Sequence, residues 1–189
     1  PLRPGLRGHP MNRGRVVAVV LLLAAVGGTG WWLRTRSTGV PLGGVAANSV
    51  TLGWKGALEG TATLPATVNW CPGSRVAIIE ALSNDTGFIL VIHAADSLAK
   101  GTLSVLPAEF ITSPGSPRPV AASGLRWPAD TATLAGYRGQ TGLLELVPAA
   151  GTISGTFTIR MQPPMSQDTI SLTGAFRNLP VESRAVGCP

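Results

Sequence analysis

The chain has 189 residues, 44% hydrophobic and 13% charged, with 15 basic against 9 acidic side chains and a formal net charge of +6. That composition is too apolar for a disordered chain and allows one sizeable core. A +6 charge would admit a nucleic-acid binder, but its placement argues against one. Arg3, Arg7, Arg13, Arg15, Arg34 and Arg36 precede Gly43 with no acid among them, whereas the other nine bases are matched by nine acids. A phosphate-binding protein carries its excess charge on the folded domain.

The first element is Val16 to Leu33, VVAVVLLLAAVGGTGWWL, an uncharged run bracketed by arginines. As a helix it would span about 27 Å at ~1.5 Å per residue, close to the hydrocarbon thickness of a bilayer. Residues 1–15 read as a basic cytoplasmic tail and 16–33 as a transmembrane signal-anchor. The arginine excess before the run keeps the N-terminus inside and sends the remainder into the periplasm of a bacterial inner membrane. Met11, before Asn12-Arg13-Gly14-Arg15, resembles a start site. The competing expectation is a cleaved signal peptide with Ala25-Val26-Gly27 at the cleavage site. Trp31, Trp32 and Arg34 favour the anchor: indoles settle among lipid headgroups, and Arg13, Arg15 and Arg34 would lie at the membrane interface.

Residues 34–48 read as a linker rich in Gly and small residues. From 49 to 189 the apolar period is two. Ala62, Leu64, Ala66, Val68 and Trp70 alternate with polar residues over Thr61–Trp70, as do Phe157, Ile159 and Met161 over Thr156–Gln162, and Ile170, Leu172 and Phe176 over Thr169–Phe176. Val76–Ile79 and Phe88–Ile92 are apolar throughout and read as central strands covered on both faces, joined as a hairpin through Ser83–Gly87. Pro65 predicts an edge or bulge in its strand. Further strands are expected at Val50–Trp54, Thr102–Leu106, Ser123–Trp127, Thr131–Tyr137 and Leu143–Val147. The best helical candidate is a single turn near Ala94–Lys100. Eight to ten short antiparallel strands imply an all-β domain, an antiparallel β-sandwich with a closed β-barrel as the alternative. Cys71 and Cys188, an even count in an exported segment, predict a disulfide.

Catalytic and metal signatures are weak. His93 ends an apolar strand, with Asp96 or Asp130 as orienter of a triad, but Gly151-Thr152-Ile153-Ser154-Gly155 lacks nucleophile-elbow spacing. Glu80 and Glu145 interrupt apolar strands and would be a glycosidase pair only if brought together. Asn84-Asp85 and Gln167-Asp168 supply oxygen ligands for calcium, yet turn formation accounts for them. Asn84-Asp85-Thr86 fits a glycosylation sequon and equally a hairpin turn. Trp127, before Pro128, is expected to pack in the core like most of the domain's aromatics, and is otherwise the candidate exposed aromatic for a partner contact.

The layout of one anchor helix and one exported β-domain resembles the single-helix accessory subunits of bacterial energy-transducing complexes, such as photosynthetic reaction-centre–antenna or respiratory assemblies. The resemblance rests on layout and carries no diagnostic motif. It implies a non-enzymatic subunit with the membrane and other membrane-protein subunits as partners. It also implies no intrinsic cofactor and lipid or pigment contact near Trp31 and Trp32. The alternative is a tethered or secreted module binding a sugar, peptide or apolar ligand.

Overall fold

In a computed structural model the described residues are 45–84, 86–111, 116, 118–128, 134–184 and 187–189. The anchor segment, with Arg13, Arg15, Trp31, Trp32 and Arg34, lies outside them. No helix among the described residues is long and apolar enough to cross a membrane.

Nine strands among the described residues follow the alternation of the sequence: β1 Ser49–Gly56, β2 Gly60–Cys71, β3 Val76–Ser83, β4 Thr86–His93, β5 Gly101–Val105, β6 Val120–Pro128, β7 Leu134–Ala149, β8 Thr152–Gln162 and β9 Ile170–Glu182. One helical turn, α1 (Ala108–Ile111), sits between β5 and β6. Helical structure is thus found there, and Ala94–Lys100 is irregular instead. The strands join in the order β1-β2-β3-β4-β6-β5-β7-β8-β9, and β9 pairs back onto β1, closing a barrel. The all-β expectation holds, and the sheet closes as the barrel alternative has it, not as a two-sheet sandwich. Neighbours are antiparallel except β5 with β6 and the end of β9 with β2.

Pro65 sits where β2 changes partners. Residues 60–65 pair with β1, residues 66–71 pair with β3, and Ala66 N–H donates to Asn48 O at 3.0 Å. A residue without an N–H fits this corner, where one ladder ends and the next begins. Residues 134–137 of the strand expected at 131–137, whose first three residues lie outside the described ones, and the strand expected at 143–147 are parts of the single long β7. Its register against β8 shifts between Gly139 and Thr141, so the glycines there mark a bulge within the strand.

The lumen is filled. Phe88 stacks on Phe157 with centroids 5.1 Å apart, and Phe157 is 6.5 Å from Phe176. Around these rings lie Leu52, Ile79, Leu90, Leu144, Ile159, Met161 and Leu172, all buried. Toward one end Trp54, Trp127 and Tyr137 form a stack with spacings of 5.2 and 4.9 Å. This stack links β1 to β6, strands that do not pair. Cys71 and Cys188 form the expected disulfide, with Cα atoms 5.6 Å apart.

Candidate functional site

With the lumen filled by side chains, a site on this domain lies on its outer surface, on the strand wall or among the end loops. Most of that wall is polar, because outward positions on the alternating strands carry hydroxyls. One row runs Thr63, Thr51, Ala175, Thr156 and Glu145 across β2, β1, β9, β8 and β7. Thr51 and Thr63 hydroxyls lie 3.4 Å apart, and Thr156 Oγ1 donates to Glu145 Oε2 at 3.4 Å.

The wall of β3, β4, β6 and the start of β7 differs. Pairing places its outward residues on a grid of two rows. One row is Glu80, Ile89, Gly124 and Arg138; the other is Leu82, Gly87, Arg126 and Gly136. Three of eight positions have no side chain, so the wall is hollowed into an open groove of about 540 Å³ whose lining is mainly apolar. This volume falls in the range of small-molecule sites. Leu82 is 52% and Ile89 38% exposed, and Pro164 from the β8–β9 connection borders the groove. The continuous apolar runs of β3 and β4 are therefore covered on both faces only in part. Of the outer positions in these runs, Ile89 faces the groove, whereas Val76 is buried and Ile78 and Val91 are half-buried outside it.

Glycine at 87 lets its neighbours lean inward: a methyl group there would stand 2.9 Å from Leu82 Cδ2 and 3.0 Å from Arg126 Nε. The outer side of Gly136 is open to 4 Å. Neither Arg126 nor Arg138 has a carboxylate partner among the described residues, where the ion pairs are Arg75–Asp96 and Arg184–Glu182. Further along the same wall, Val120 and Ala122 are buried beneath Ile111 of α1.

His93 faces outward at the end of β4. Its Nδ1 is buried without a partner among the described residues, and burial, reinforced by Arg118, lowers its pKa below the ordinary 6.5. Its proposed orienter Asp96 instead pairs with Arg75 at 3.2 Å. Glu80 and Glu145 are not brought together. Three strand spacings, about 14 Å along the wall, separate β3 from β7, whereas a glycosidase pair sits about 5–10 Å apart. Glu145 also lies far along β7 from Arg138, the residue in the row of Glu80. Asp85 and Asp130 fall outside the described residues. Asp168 accepts a hydrogen bond from Ser166 Oγ at 2.8 Å, which closes its own loop. Among the described residues, no three His, Cys, Asp or Glu gather as a metal site. Trp127 is half-buried, stacked with Trp54 on one side and Tyr137 on the other.

Sequence reading singled out Glu80 but missed Leu82, Ile89, Arg126 and Arg138. Only the strand register joins them, although the apolar run without alternation at 88–92, which holds Ile89, was a signal. No protein family, curated protein or solved structure matches the chain.

Proposed function

We propose that this chain is a non-enzymatic, membrane-anchored accessory subunit whose periplasmic barrel docks on a larger bacterial membrane complex. The observation that carries this reading is the solid barrel: its lumen holds packed aromatic and aliphatic side chains, which leaves the outside of the barrel as the working surface. Supporting it, Leu143 and Val147 on β7 and Phe110 on α1 are exposed apolar side chains outside the groove. The hydrophobic run 16–33 supplies the tether. The experiment is gentle solubilisation of native membranes followed by size separation and intact-mass measurement. The reading expects the chain, with residues 16–33 retained, in a particle several times its own 19.4 kDa mass. A free periplasmic polypeptide beginning beyond Trp32 would overturn it.

The groove favours a second reading, the tethered binding module. A glycine-floored recess of ligand size between apolar and cationic side chains is more than docking needs.

A further inference from the structure

We infer that the groove over β3, β4, β6 and β7 is a binding site for an apolar carboxylate, a free fatty-acid-like anion. The inference rests on the binding-module reading and names its ligand class. The grid divides the groove by chemistry. Leu82 and Ile89 are diagonal neighbours at one side, and Arg126 and Arg138 are diagonal neighbours at the other, because Arg126 pairs with Gly136 two residues before Arg138. Diagonal cross-strand neighbours stand about 7–8 Å apart, within reach of long side chains, so both guanidinium groups can converge on one carboxylate. Between the two diagonals lie Gly87, which is buried beneath Leu82 and Arg126 as they lean over it, and the half-buried Gly124, whose missing side chain leaves room beside Ile89 for an alkyl chain.

Charge decides the class of ligand. Two planar guanidinium groups without acidic partners among the described residues, beside apolar surface, select an anion with an apolar body over a neutral sugar or an alcohol. Glu80 occupies the corner farthest from Arg138 in its row, where it would repel an anionic head and so set one direction for the ligand. A tail over Leu82 and Ile89 with the head between the arginines satisfies all of these constraints at once.

The test uses the full chain in nanodiscs of neutral phosphatidylcholine. It is photolabelled with diazirine-bearing decanoate, and in parallel with the matching neutral alcohol, and labelled peptides are mapped by mass spectrometry. Decanoate should label the segments carrying Leu82 and Ile89, and unlabelled decanoate should compete where decanol does not. Arg126→Gln with Arg138→Gln should cut this labelling about tenfold or more, the scale of losing charge-assisted hydrogen bonds. Gly136→Leu should block it as well, since its outer side is open and the larger side chain fills the groove without touching the core. Equal labelling by acid and alcohol, or labelling unchanged in the double-arginine variant, would overturn the anion assignment and leave an apolar binding module. Competition by phosphatidylglycerol vesicles but not by decanoate would overturn the free acid in favour of a lipid headgroup. No groove labelling by either probe would overturn the binding-module reading itself.

Discussion

At the scale of single residues, His93 shows how little of a side chain's chemistry follows from its position in a pattern. A histidine closing an apolar strand reads as a surface residue, and as a catalytic base only with an orienting acid. In the fold, its Nδ1 is buried with no partner among the described residues, and Asp96 is engaged by Arg75. Burial, helped by the positive charge of Arg118, disfavours the imidazolium, so the folded-state pKa lies below that of the unfolded chain. The sign follows: from about pH 6.5 downward, the unfolded chain binds the proton more readily than the folded one. Stability attributable to this group is intact above that pH and declines as the pH falls toward the lowered value. Urea unfolding at about pH 7 and pH 5 should therefore show a larger drop in midpoint for the native chain than for His93→Gln. Equal drops in the two proteins would mean that the imidazole is as easily protonated folded as unfolded.

At the scale of elements, the barrel admits its large rings by a repeated pairing of aromatic with glycine. Phe157 faces Gly174 and Phe176 faces Gly155 across β8 and β9, and Trp54 faces Gly60 across β1 and β2. Each ring occupies the space its partner's side chain would take. A Cβ on Gly155 would stand 2.6 Å from Phe176 Cζ, and one on Gly174 would strike the Phe157 ring and come within 2.9 Å of Thr51 O. Gly174→Ala should accordingly destabilise the domain by about 2–3 kcal/mol, the usual cost of overpacking where backbone blocks relaxation, read as a lower urea midpoint with an unchanged slope. An alanine accommodated without loss would show that the ring is free to move. The pairing also explains what the sequence could and could not disclose. Period-two alternation depends on one strand at a time, so Leu64, Ala66 and Val68, or Ile159 and Met161, reveal their inward faces unaided. Which residue lies opposite which depends on two strands and their register, and the groove exists only in register: Gly87, Gly124 and Gly136 look like unrelated turn formers until β4, β6 and β7 lie side by side. The glycines of β7 misled in the same way. They read as a break between two strands, whereas the ladder absorbs them as a bulge.

At the scale of the whole molecule, closure and cross-linking act on the same seam. β2 begins the barrel beside β1 and turns at Pro65 toward β3, and the end of β9 then runs parallel to it through Val68 and Asn69. The C-terminal segment is stitched to that corner: Ser183 Oγ donates to Trp70 O at 3.1 Å, Arg184 N–H donates to Asn69 Oδ1 at 2.9 Å, and Cys188 bonds to Cys71 at the end of β2. These contacts support two different accounts of the disulfide. If it only pins the tail, replacing it would free residues 183–189 and leave the rest intact, since β9 is held by its own ladders with β1 and β8. If it acts mainly on the unfolded chain, its effect is global, because the 117-residue separation encloses β3 to β9. Loop-closure entropy for such a span is on the order of 4–5 kcal/mol, and it grows so slowly with length that modest residual structure in the unfolded chain removes little of it. Local hydrogen bonds of the tail, at about 1 kcal/mol each and exposed to water, are the smaller contribution. The global account therefore prevails. Cys71→Ser with Cys188→Ser should lower the unfolding free energy by about 3–5 kcal/mol, and reductant should do the same to the native chain in urea. Amide exchange should accelerate in β3 to β8 as well as at the C-terminus. Faster exchange confined to 183–189, with an unchanged midpoint, would show that the bond holds only the tail.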